Sequence, residues 1–232
     1  MMRTEELIEQ LAADAQPVRC LRSPFRRTAI WLTWSLPWVT AVVFVMGLRP
    51  DIATRLSDPR WLIEEGAAVA TALMAAMAAL CAGVPGRSRW EHFMPFLPLA
   101  VWLGTLGQGC LQDWITYGQA GLTLRTDWQC LPGIIMVGTG PAVAMVVMIL
   151  RGAAITPITT TTLGALAASG LSAAALRLFH QEDSSLMVLV WQGGTVFALM
   201  LIAGFSGPAI LRWRLLSMPQ NPPSKRTKGI ES

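Results

Sequence analysis

The chain has 232 residues, of which 53% are hydrophobic and 14% charged, and a net charge of +4. So few polar side chains cannot clothe a soluble domain, which excludes that class and points to a membrane protein. The cations flank apolar runs instead of gathering on one stripe, so the charge reads as topology and direct nucleic-acid binding is not expected.

The first 27 residues, MMRTEELIEQLAADAQPVRCLRSPFRR, form an arm. Thr4 can cap a helix whose first turn carries Glu5 and Glu6, favourable at a helix N-terminus. Leu7, Ile8, Leu11 and Ala15 make an apolar stripe flanked by Glu5, Glu6, Glu9 and Asp14, and Pro17 ends the pattern. A helix of ~18 Å is too short to stand alone in water, so it needs a surface, either its own bundle or a soluble partner.

Six apolar runs follow, at Thr28–Leu48, Trp61–Gly83, Phe93–Leu111, Leu131–Leu150, Thr156–Leu178 and Leu186–Leu211. Each is close to the ~20 residues that cross a hydrocarbon core. The first lacks a cleavage site and reads as a retained span. The expected fold is all-α and polytopic: an arm over 1–27, six spans over 28–211, and a basic, disordered tail over 212–232. Thirteen Lys and Arg lie on the side of the termini and five on the other. Both termini therefore face the cytoplasm, with outer loops near 49–60, 112–130 and 179–185. Trp61, Trp90, Trp114, Trp128 and Trp213 fall where interfacial anchors are expected. No charged residue sits deep in a span; Glu64, Glu65 and Arg177 lie near ends, which argues against an ion pump. Gly138, Thr139, Gly140 and Pro141 allow a kink in the fourth run. Gly164, Ala168 and Ser172 in the fifth give a small-residue face for close helix packing, within the bundle or in a homodimer.

On that topology Cys110 and Cys130 lie outside, and Cys20 and Cys81 inside. Asp113 and Asp127 stand three residues from the outer cysteines, and His180 lies beside Glu182 and Asp183 in the last outer loop. Three readings stay open. The two thiols form a disulfide, contributing roughly 3 kcal/mol by loop entropy. Alternatively Cys110, Cys130 and His180 hold a Cu or Zn ion, with Asp113, Asp127 and Asp183 as secondary ligands. In the third, the thiols have no partner. A quinone-coupled thiol-disulfide enzyme is the nearest catalytic class, but its tight CxxC is missing, and no nucleophile, phosphate-loop or HExxH motif occurs. That enzyme class and a small-solute transporter remain the alternatives to a regulator.

The ordered set LAADAQPVRCL, GLRPDIATRLSDPRWLIE, VPGRSR, GCLQDW, DWQCL, LFHQEDSSLMVLVWQ and GPAILRW resembles the NrsF family of six-span bacterial inner-membrane anti-sigma factors. The resemblance implies no catalysis. It implies instead that the N-terminal segment holds a sigma-F-type extracytoplasmic-function (ECF) sigma factor and that outer cysteines answer metal or oxidative stress. The DWQCL match implies Cys130 as the functional thiol. Family members often carry a cysteine in the last outer loop, where this chain has His180; Cys110 is then the substitute thiol, or the three residues form a metal site.

Overall fold

The computed structural model describes residues 4–13, 22–84, 86–122, 130–152, 156–181 and 184–217, without the side chains at 7, 10, 11, 121, 122, 130 and 210–217. Described residues form helices and no strand. The tail beyond 217 and arm residues 14–21, with Asp14, Ala15, Pro17 and Cys20, lie outside the described residues.

Helix α1 covers Thr4–Ala13, with Glu5, Glu6, Ile8 and Glu9 exposed. Helix α2, Pro24–Met46, starts where the Ser23 hydroxyl accepts the Arg26 amide and Pro24 presets the first turn. After Gly47, whose φ of 79° suits glycine, a short α3 (Ile52–Arg55) leads to α4, Pro59–Ala82. Asp58 caps α4 by accepting the Arg60 amide at 3.0 Å. A 3₁₀ turn, Arg89–Phe93, precedes α5 (Phe96–Tyr117), and α6 runs Cys130–Leu150. Helix α7 is Pro157–Leu176. The last helical stretch is continuous from Ser185 to Ser217: α8 (Ser185–Met187), a π-helical segment (Val188–Gly193) and α9 (Gly194–Ser217).

Five helical stretches are long and apolar enough to cross a membrane: Pro24–Met46, Pro59–Ala82, Arg89–Ala120, Leu131–Leu150 and Ser185–Ala209. Helix α7, expected as a sixth, has the length, ~30 Å at 1.5 Å per residue. It falls short on apolarity because most of its residues are Ala, Gly, Ser and Thr, and the reason is its place. It packs against α4, α6 and α9, and from Leu166 to Leu176 every residue is buried. Bulky apolar side chains serve positions facing lipid, such as Trp34, Phe44 and Phe205, whereas a central helix needs small ones.

Gly170 brings α7 against α4, where a β-carbon would stand 3.7 Å from the Ala72 Cα. On its other side Gly164 meets Met145 and Ile149 of α6, and Ser172 meets Gly138. The small-residue face anticipated in α7 therefore serves internal packing. Ser169 and Ser172 donate back to the carbonyls of Ala165 and Ala168, so their hydroxyls are satisfied within the helix. Gly140 admits the Trp38 ring, and α6 remains helical through Pro141. The Pro141 carbonyl accepts from Trp31 Nε1 at 2.9 Å, Trp31 being fully buried.

The connections gather at two ends. At one, Arg27 donates to the Leu80 carbonyl at 3.3 Å and the Met148 carbonyl at 2.9 Å, closing α2 onto the C-termini of α4 and α6. Buried Cys81 lies beside that Leu80. At the other, the Arg49 amide donates to the Leu178 carbonyl, and Arg60 reaches Gln112 and Ser185. These are called the Arg27 end and the Arg177 end.

Candidate functional site

The Arg177 end is built from charges placed at the rims of apolar helices. Arg60 and Glu64 lie one turn apart on α4, so their side chains share a face and pair at 3.1 Å. Arg177, just past α7, donates to the other Glu64 oxygen at 2.8 Å. Both Glu64 and Arg177 are about 4% exposed. Arg177 Nε also stands 3.2 Å from Glu65, but off the hydrogen-bond direction, so that contact is electrostatic only. Its guanidinium lies 5.7 Å over the Trp61 ring, a cation–π distance.

Arg60 extends the cluster across helices. It donates to Ser185 Oγ at 2.9 Å and to Gln112 Oε1 at 3.4 Å. It does so by lying on Gly109 of α5, where a β-carbon would overlap the guanidinium. Four segments thus meet on two arginines: α4, α5, the end of α7 and the start of the last helical stretch. A polar cleft of about 200 Å³ opens here, lined by Arg55, Asp58, Arg60, Asp113, Arg177 and Ser185 among others. Beside it Arg49, buried, pairs with Asp51 at 2.7 Å and donates to the His180 carbonyl at 3.3 Å, pinning the loop after α7. Arg49 and Arg55 hold the Asp51 carboxyl near pH 2, well below its ordinary range.

Cys110 follows Gly109 directly, half-buried, and Asp113 stands one turn further on the same helix at the cleft. His180 is half-exposed, and its amide donates to the Leu176 carbonyl at 2.8 Å. The structure thus places Cys110, Asp113 and His180 at one end of the bundle. Cys130 opens α6, but its side chain lies outside the described residues, as do Asp127, Glu182 and Asp183. Among the described residues no three His, Cys, Asp or Glu side chains converge as a metal site. The Leu7 and Leu11 side chains are likewise not described.

Sequence reasoning missed Arg60, Gln112, Ser185 and Gly109, and placed Trp61 as an interfacial anchor. Trp61 is 4% exposed, drawn inward under Arg177. Trp90, 81% exposed, does occupy a surface position. The available signal was the Arg60–Glu64 spacing together with a lone cation, Arg177, at the end of another span. Charges at rims that face inward need partners, and these are each other's.

The model of the family described as "Negative regulator of sigma F" matches residues 11–213. The "Anti-sigma-F factor NrsF" of Caulobacter vibrioides (strain NA1000 / CB15N) is 29% identical over 231 residues, 91% of this chain and the whole of that protein. No solved structure matches the chain. With the matched stretch running from α1 through all the apolar helices, the chain belongs to the NrsF family of negative regulators of sigma F.

Proposed function

We propose that this protein is a six-span inner-membrane anti-sigma factor, both termini in the cytoplasm, that holds an ECF sigma factor of the sigma-F type. It releases that factor when the outer cysteines meet a soft metal ion or an oxidant. The carrying observation is the family match over residues 11–213. The name of the Caulobacter relative supports a sigma factor as partner.

The arm over 1–27 binds the sigma factor, keeping it from RNA polymerase. Supporting this, α1 leaves Glu5, Glu6, Ile8 and Glu9 exposed, an acidic surface with an apolar element suited to a basic groove. Leu7, Leu11 and Asp14 complete the proposed contact. The Arg177 end faces outward and carries the sensor: Cys110 and Cys130, with His180 and the nearby Asp113, Asp127 and Asp183. Thiolate and imidazole donors favour Cu or Zn. If the signal is an oxidant, two thiols become one disulfide and pass two protons and two electrons to it.

Coupling needs a body that touches both ends, and α4 is that body. Its Glu64 joins the Arg60–Arg177 cluster, and its Leu80 carbonyl is held by Arg27, the last residue of the arm. Chemistry at Cys110 shifts α5 at Gly109, displaces Arg60 and changes the seat of α4. Moving the bound and released states from 1:99 to 99:1 takes about 5.5 kcal/mol of differential binding, within reach of thiolate coordination.

Cys130→Ser keeps sigma binding but abolishes the stress response; a variant responding like the wild type to every metal and oxidant refutes the sensor. Gly109→Ala and Arg60→Gln shift basal release in the same direction, and the double variant adds nothing further. Additive effects would refute the Arg60 route.

A further inference from the structure

A groove of about 490 Å³ runs up the Arg27 end between α5 and α9, with α7 as its floor. Phe96 and Leu99 form one wall, Met200 the other, and Leu163 and Leu166 the base. Its mouth is the 3₁₀ turn, where Arg89 and His92 line the groove. The carboxylate on that turn is already taken, since Glu91 pairs with Arg87 at 2.7 Å. The Arg89 side chain is exposed and makes no ion pair or hydrogen bond among the described residues. Trp90 and Phe93, 81% and 58% exposed, stand beside it as interfacial aromatics do.

One other apolar groove repeats this ending. A second, also about 490 Å³, lies between α2 and α6 and ends on Arg151, likewise unpaired among the described residues. A third, about 570 Å³, runs toward the Arg177 end and meets Glu65, whose carboxyl already has Arg177 at 3.2 Å. The two grooves opening at the Arg27 end thus each finish on a cation that makes no ion pair among the described residues.

We infer that the α5–α7–α9 groove binds one anionic phospholipid, its phosphate on Arg89 and His92 and an acyl chain between Phe96, Leu163 and Met200. The apolar lining matches a hydrocarbon chain, and the unspent cation matches the phosphate of an anionic leaflet, where each such charge counts. The occupant seats on α7, the helix through which α4, α6 and α9 touch, so lipid composition bears on the packing of the whole bundle. The inference rests on the chain lying in a bilayer and not on its sigma partner, so either can fail alone.

Native mass spectrometry of the full chain in detergent, titrated with dioleoyl phosphatidylglycerol or dioleoyl phosphatidylcholine, tests it. One phosphatidylglycerol per chain should be retained at about fivefold lower concentration than phosphatidylcholine. Arg89→Gln with His92→Gln should remove the preference and leave weak binding of both; Arg89→Lys should keep it. Leu163→Trp, which fills the groove floor, should lower retention of both lipids. Equal retention of the two lipids by the wild type, or a full preference in the Arg89→Gln/His92→Gln protein, overturns the site. So does a groove closed by a second copy, seen as a lipid-free dimer that Leu163→Trp splits.

Discussion

Glu64→Gln is the sharpest perturbation of the Arg177 end. The substitution keeps shape and removes one charge that two guanidinium groups share, Arg177 at 2.8 Å and Arg60 at 3.1 Å. The halves are unequal. The Arg177 and Glu64 side chains are each 5% exposed, whereas that of Arg60 is 37% exposed. Breaking a buried pair by removing one partner costs about 3–5 kcal/mol, while a half-exposed pair contributes only a few tenths. Glu65, 3.2 Å from Arg177, offsets part of the loss, so the low end, about 3 kcal/mol, is expected. Reversible unfolding in mixed micelles by SDS titration reads this directly. Glu64→Leu with Arg177→Met, which removes both charges and keeps volume, should recover more than half of the loss. A Glu64→Gln protein within ~1 kcal/mol of the wild type, or a double variant as unstable as the summed singles, would refute the Glu64–Arg177 pair as a coupled buried contact.

Asp51 gives a pH prediction. Its folded pKa is depressed to about 2, so its contribution is present above the ordinary value of 3.8 and is lost as pH falls from there through about 2. Hydrogen-exchange protection of the 47–56 segment, taken relative to the intrinsic rate at each pH, should fall across that window in the wild type and be flat in Asp51→Asn. Trp31→Ala should cost about 3 kcal/mol or more through the cavity and the lost bond to the Pro141 carbonyl, measured by the same SDS titration; Trp31→Phe should cost less. Gly170→Ala should be nearly silent, because its β-carbon would meet Ala72 at an ordinary 3.5 Å, and a folding defect there would show the α4–α7 packing to be wrong. Leu7→Glu and Leu11→Glu should each free the sigma factor with membrane insertion unchanged, read by reporter output and fractionation; intact repression in both removes the arm from the binding site.

Much of the fold was legible because lipid imposes one rule, that backbone bonds close within each segment. Apolar length therefore located the long helices: the run Leu131–Leu150 is helical throughout and Pro59–Ala82 overlaps Trp61–Gly83 to its last helical residue, whereas the helix of the run Phe93–Leu111 continues to Tyr117. Helix α7 was read from length and small residues, although its apolarity is diluted by the packing it serves. The Arg177 cluster was not legible as a cluster. Glu64 and Arg177 are 113 residues apart and Arg60 and Ser185 are 125 apart, and no local pattern says which rim charges face each other. Gly109 is similar: its small size matters only because Arg60 arrives from another helix. The pairing of Arg27 with helix C-termini also needed three dimensions, since a cation before the first span reads equally well as a topology signal.

The proposed function turns on the leading arm holding a sigma factor at the cytoplasmic side of the bundle. Affinity purification of the tagged full chain and of a chain lacking residues 1–22, each from membranes and each probed for sigma factors, tests it most directly. A sigma-F-type factor should come with the full chain and none with the shortened one, at equal membrane yield. Recovery of the same factor by both chains would contradict it.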